Sequence, residues 1–347
     1  MKANVLFGVN DLKYTDVALP ILKTGEVLVK VKAAGICGSD VARVFKTGTY
    51  HFPTIIGHEF SGIVYNVKDS ADAHWIGKHV SVFPLKPCFK CESCKNKKYE
   101  LCSNYDYLGS RCDGGFAEYV AVPIWNLLEM PDAISFEVAA MMEPASVALH
   151  ALKQSNFTKG DTVAIIGPGT IGMILSKLAL LLGAKNVFLI GRTPEKLKFA
   201  NSIGIIDTCN STQENVENWI KEKTNNLGVD ISFEGTGVST SLNTCLNITK
   251  KSGKVVTLGN PHGDITLDKA TYWKILRNQL TLIGTWNSEF NTEHSDWEQI
   301  KEYIIQGKLD LASLITHRLN FEQLLEGLNI MKNSNIYSNK IMLLNNE

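Results

Sequence analysis

TVAIIGPGTIG, residues 162–172, decides the fold. A run of five apolar or β-branched residues enters Gly167-Pro168-Gly169-Thr170-Ile171-Gly172, a GxGxxG, and leaves in the apolar helical pattern IGMILSKLALLLG. A GxGxxG alone is a weak signal. Between a strand and a helix it is a dinucleotide-binding turn. Gly167 permits the tight turn, Gly169 admits the backbone to a pyrophosphate, and Gly172 lets the helix close on the sheet. The helix start then offers free N–H groups and the positive end of its dipole to phosphate. Residues 162–184 are also apolar enough to raise a membrane helix, but the GPG break and Lys177 speak against one.

Outward from this turn the pattern repeats. NVFLIG, VDISFEG, KVVTLG and LTLIG read as strands, and EKLKFANSIG reads as a helix. Apolar strands alternating with helices predict a parallel sheet covered on both faces. Upstream the character is different. EVLVKVK at 26–32 alternates, and short strand-like runs follow at 61–67, 79–83 and 116–122, punctuated by Gly, Pro and Asp. EVAAMMEPASVALHAL at 137–152 reads as a helix broken at Pro144. Beyond Trp286, residues Trp297, Ile300 and Ile304 share a helical face, and KIMLL forms a last strand. The expected class is α/β. A mostly β domain spans 1–150, a doubly wound parallel-sheet domain spans 151–286, and residues 287–347 return to the first domain.

The 347 residues suit two domains with full cores. Lys plus Arg and Asp plus Glu each number 35, so no overall basic field exists to attract nucleic acid or an anionic membrane. No secretory signal opens the chain. Thiols spaced for a metal rather than for long disulfide loops point to the cytoplasm.

Cys88, Cys91, Cys94 and Cys102 form a CxxCxxCx7C loop within 86–103. Four thiolates satisfy tetrahedral zinc and leave no open position, so the expected role is structural. Iron–sulfur ligation is the rival, and a zinc ribbon for nucleic acid a weaker one, since the nearby lysines also suit a solvated face offsetting the thiolates. A second set is dispersed: Cys37 in GICGSD, His58 and Glu59 in GHEF, and Glu143 in MEPAS. One Cys, one His and one Glu match the three protein ligands of a catalytic zinc, although spacing alone does not assemble them.

GICGSD, GHEFSG, the four-cysteine loop, GGFAEY, MEPASVALHAL and GPGTIG occur in one order. In this order the chain resembles, over essentially its whole length, the zinc-dependent medium-chain alcohol and polyol dehydrogenases. The resemblance implies a GroES-like catalytic domain built from both chain ends, with a Rossmann domain inserted. It implies two zinc ions, one catalytic on Cys37, His58 and Glu143, and one structural. Glu59 is an adjacent carboxylate that replaces Glu143 or a water in some states. Asp40 matches the partner of the zinc-bound histidine, and Ser39 matches the hydroxyl that starts the proton relay. Glu in place of a third-ligand Cys is similar to the polyol branch. That glutamate favours a polyhydroxy substrate over a simple alcohol, and the resemblance further implies a phosphorylated polyol as the substrate and a homodimer or homotetramer as the assembly. A free polyol of the sorbitol or xylitol type and another pentitol or hexitol phosphate are the enzyme alternatives, and a non-catalytic zinc protein is the alternative of another class.

Arg43 and Lys46, between Cys37 and His58, and Arg111 in GSRCDGG are candidate donors to a substrate phosphate. The cofactor has its own signal. NAD enzymes of this fold end the second strand of the domain in an acidic residue. Here NVFLI ends in Gly191-Arg192-Thr193. No carboxylate repels a 2′-phosphate, and Arg192 and Thr193 are donors to it, so NADP is expected over NAD.

Overall fold

The computed structural model describes residues 1–345 apart from 262, 292, 294 and 334. It has two compact units: Met1–Glu143 with Glu289–Glu347, and Pro144–Ser288.

The first unit is built on a seven-stranded sheet. Its longest strand, Glu26–Ile36, alternates as the sequence predicts and then becomes continuously buried toward its end. It pairs antiparallel with Glu59–Val67, setting Gly35 opposite Glu59. On its other side it pairs antiparallel with Lys340–Leu344, setting Ile36 opposite Ile341. The end of one strand and the starts of two others thus meet at one edge of the sheet. Val27, Val29, Val31, Phe60, Val64, Val80, Ile341 and Leu343 fill the core beneath it. Each such side chain contributes about 1.5–3 kcal/mol on burial. The C-terminal segment is tied in a second way: Phe290 stacks on Phe83 with ring centres 4.7 Å apart, and Trp297 meets both edge-on.

The second unit is a six-stranded parallel sheet in the order Thr208–Asn210, Asn186–Gly191, Thr162–Ile166, Val229–Glu234, Thr249–Thr257, Thr281–Gly284. The chain winds outward from Thr162–Ile166 in both directions, which makes the end of that strand a topological switch point. All five of its residues are buried, so it carries an unbroken apolar run rather than an alternation. The following helix, Thr170–Leu181, buries Met173, Ile174, Leu175 and Leu178. The stretch 162–184 is therefore strand, turn and helix, and no helix among the described residues is long and apolar enough to cross a membrane.

One local expectation is corrected. The segment expected to break at Pro144 breaks instead at Met141, between helices Phe136–Ala140 and Met142–Gln154. Pro144 sits in the first turn of the second helix. There its missing N–H has no intrahelical acceptor to lose, and its ring meets no preceding turn.

Candidate metal and cofactor sites

The cysteine loop assembles without long-range help. Cys88, Cys91, Cys94 and Cys102 bring their Sγ atoms within 4.8 Å of one another. Cys88 and Cys94 stand 4.0 Å apart, and Cys91 and Cys102 stand 3.8 Å apart. These separations are far beyond a disulfide bond. They fit the edge of a tetrahedron around zinc, about 3.8 Å for Zn–S bonds of about 2.3 Å. The N–H groups of Cys94 and Ser103 hold the Cys91 thiol down at about 5, so the loop favours a thiolate there. Phe89, Tyr99 and Trp125 pack edge-on against one another beside the loop, at 5.0–5.7 Å between ring centres.

The dispersed residues meet at the sheet edge described above. Cys37 follows strand Glu26–Ile36 and precedes the five-residue helix Gly38–Ala42. Glu59 opens the neighbouring strand, Glu59–Val67, and His58 immediately precedes it. The Cys37 thiol, a His58 ring nitrogen and a Glu59 carboxylate oxygen lie within 4.8 Å of one another. One thiolate, one imidazole and one carboxylate form a donor set that fits a catalytic zinc. Asp40 is fully buried and orients this set. Its Oδ2 accepts from the Cys37 N–H at 3.0 Å, and its Oδ1 faces His58 Nδ1 at 3.5 Å. That leaves His58 Nε2 as the nitrogen for a metal. Burial works to raise the Asp40 pKa, but His58, Arg43 and the Cys37 N–H hold it at about 2.

Lys340, which opens the last strand, completes the cluster. Its Nζ donates to Glu59 Oε2 at 2.5 Å and to the Ile36 carbonyl at 3.1 Å. Gly35 makes room: a Cβ there would collide with Glu59 Oε2. Glu143, expected as the third ligand, is buried alongside but lies outside the close group, its Oε1 accepting from the Tyr107 hydroxyl at 3.2 Å. Burial pushes the Glu143 carboxyl up to about 7, opposed by His58 and reinforced by Glu59. The Tyr107 ring also lies 5.8 Å from that of His58. Sequence reasoning missed Lys340 and Tyr107. The only trace of either was a polar residue bordering a motif.

Arg43 turns inward. Its Nη1 donates to Ser39 Oγ and to Asp40 Oδ1, both at 2.9 Å. Lys46 is exposed. Arg111 stacks between Tyr50 and Tyr105.

In the second unit Gly167 has φ of 119°, a conformation that excludes a β-carbon. A Cβ at Gly172 would strike the Gly167 carbonyl, whereas one at Gly169 would meet nothing within 4 Å. The turn is thus tight where helix meets strand and open where Gly169 caps helix Thr170–Leu181. Gly191, which ends strand Asn186–Gly191, is buried, and a Cβ there would run into Pro168 of the turn. Arg192 beyond it is exposed, and Thr193 is half-buried.

Residues 23–132 match the alcohol dehydrogenase GroES-like domain, and residues 170–304 match the zinc-binding dehydrogenase family. Galactitol 1-phosphate 5-dehydrogenase of Escherichia coli K12 is 38% identical over 301 residues, 86% of each chain. The crystal structure of galactitol-1-phosphate dehydrogenase from Escherichia coli matches with a TM-score of 0.93 and 34% identity, over 99% of this chain and 100% of that one. A zinc-binding dehydrogenase from Sinorhizobium meliloti 1021, bound to NADP, matches at 0.88 and 27% over 99% of both chains. With a glycine turn at the switch point of one unit and zinc-type donor sets in the other, the chain belongs to the zinc-dependent medium-chain alcohol and polyol dehydrogenases, NAD(P)-dependent oxidoreductases with a GroES-like and a Rossmann domain.

Proposed function

We propose that the enzyme interconverts a phosphorylated polyol and a keto-sugar phosphate, with galactitol 1-phosphate and tagatose 6-phosphate as the leading pair. The observation that carries this is the 38% identity with galactitol 1-phosphate 5-dehydrogenase over 86% of both chains. Two zinc ions per chain belong to the reading. Cys88, Cys91, Cys94 and Cys102 hold one. Cys37, His58 and a carboxylate hold the other, with Glu59 grouped for the role and Glu143 beside it as the exchange partner. When bound, the second zinc supplies Lewis acidity toward a substrate hydroxyl, and the nicotinamide supplies hydride capacity.

The chain's own residues do the rest. Asp40 fixes the orientation of the His58 ring. Ser39 Oγ takes the substrate's proton. Because Arg43 Nη1 donates into that oxygen, the Ser39 O–H stays free to pass its proton on to solvent. In the other unit, the open Gly169 and the helix start receive the pyrophosphate. Arg192 and Thr193 at the strand end favour NADP over NAD. A homodimer or homotetramer in the cytoplasm completes the proposal. The exposed Trp273, Leu276 and Leu282 are apolar surface for an assembly to cover, which light scattering tests.

The deciding experiment assays the purified enzyme on hexitol and pentitol phosphates and on free sorbitol, xylitol and galactitol, with NAD and NADP, by absorbance of the reduced cofactor. The expected result is a higher kcat/KM for a phosphorylated polyol, galactitol 1-phosphate above all. Faster use of a free polyol sinks the phosphate reading.

A further inference from the structure

We propose that Arg111, held between Tyr50 and Tyr105, is the residue that recognises the substrate's phosphate. The inference rests on the phosphorylated-polyol reading and assigns that specificity to one side chain.

The three candidate cations, Arg43, Lys46 and Arg111, differ in what they are free to do. Arg43 spends one guanidinium nitrogen on both Ser39 and Asp40, and its side chain is only 19% exposed. It holds the relay hydroxyl and is a positioning residue. Lys46 is a solvated ammonium in the last turn of the short helix Arg43–Thr47. Arg111 is different. Its guanidinium carbon lies 4.0 Å from the Tyr50 ring centre and 4.4 Å from that of Tyr105. The two rings hold the guanidinium in place, and its in-plane edge is what a guanidinium offers to phosphate oxygens. Its Nε is buried and has no hydrogen-bond partner among the described residues. That Nε is shut away from any ligand, which leaves the Nη groups of this half-buried side chain to meet a phosphate. Among the described residues no carboxylate pairs with Arg111, so the charge is not already spent.

The backbone fixes where this edge sits. The Arg111 N–H donates to the Tyr107 carbonyl at 2.9 Å, and the Arg111 carbonyl lies 3.1 Å from His51 Nε2. The Tyr105 ring lies 6.4 Å from that of Tyr107, which in turn touches His58 and Glu143. Arg111 is therefore set two aromatic rings back from the metal-type donors. A polyol phosphate carries its phosphate several bonds from the carbon that is oxidised, and a cation set back in this way suits it.

The test compares the best phosphorylated polyol with its free counterpart in wild type, Arg111→Ala and Arg111→Lys, and adds inorganic phosphate as an inhibitor of free-polyol oxidation. Charge-assisted hydrogen bonds of this kind correspond to roughly 10- to 150-fold. Arg111→Ala should lower kcat/KM for the phosphate ester by at least tenfold more than for the free polyol, and should weaken inhibition by phosphate to match. Arg111→Lys keeps a charge but loses the fork, and should recover only part of the preference. It also separates recognition from damage to the tyrosine stack. If wild type prefers the phosphate ester and Arg111→Ala keeps that preference, the Arg111 assignment falls and the substrate reading stands. If wild type shows neither preference nor inhibition by phosphate, the substrate reading falls and the assignment with it.

Discussion

Replacing Lys340 by Met removes a cation from the edge where Cys37, His58 and Glu59 converge. The side chains of Lys340 and Glu59 are each 2% exposed. Burial alone would lower the Lys340 pKa, but Glu59, Cys37 and Glu143 together more than offset it, so the ammonium stays charged through any neutral assay. Met fills much of the same volume but leaves the carboxylate without its partner and the Ile36 carbonyl without its donor. Breaking one side of a buried pair costs about 3–5 kcal/mol. At about 2–4 °C per kcal/mol for a unit of this size, the metal-stripped variant should melt roughly 6–20 °C below wild type. Zinc at Glu59 would supply the missing positive charge, so metal should narrow the gap. Changing Glu59→Gln together with Lys340→Met removes both charges and should restore part of the loss, since the two sites are coupled. The assay is thermal unfolding of stripped and zinc-loaded protein, with zinc release to a chelator as a second readout. A stripped Lys340→Met protein melting within 2 °C of wild type, about 1 kcal/mol or less, would refute the reasoning. So would a double variant no more stable than the single one.

Further outcomes follow from the same geometry. His58→Ala should abolish turnover in a chain that remains folded by circular dichroism, and near-normal turnover in a sample verified to lack zinc at that site removes its catalytic assignment. Cys91→Ser should reduce bound zinc from two equivalents to one and lower the melting temperature, because structural zinc contributes folding energy; unchanged metal content counts against the four-thiolate site. Arg192→Ala should erase an NADP preference, whereas a wild-type preference for NAD of tenfold or more, about 1.4 kcal/mol, contradicts the reading of that strand end.

Legibility in the sequence tracked how local each feature is. The strands Thr162–Ile166 and Asn186–Gly191 announce themselves because, buried on both faces, they carry continuous apolar runs, whereas Val229–Glu234 reads by the alternation of Val229, Ile231 and Phe233 with polar residues. Thr208–Asn210, a three-residue edge strand, has no such run and passed unread. Pro144 misled because a proline's effect depends on its distance from the helix start, which its neighbours in sequence do not mark. The cysteine loop was readable as a metal site because all four donors fall between residues 88 and 102.

The Cys37 site is not local in this sense. Its parts come from positions 37, 58–59 and 340, and only the strand register brings them together: Gly35 opposite Glu59, and Ile36 opposite Ile341. Register leaves no mark on spacing, so in sequence Lys340 is a lysine before an apolar run and reads as a solvated strand end. Gly35 reads as a residue that weakens a strand. In the structure each requires the other. Glu59 needs a cation because it is buried, Lys340 can be buried because Glu59 faces it, and both fit because Gly35 carries no side chain. Three positions drawn from distant parts of the chain therefore act as one unit. Substitutions among them should be strongly non-additive, while those in the cysteine loop should add independently to them.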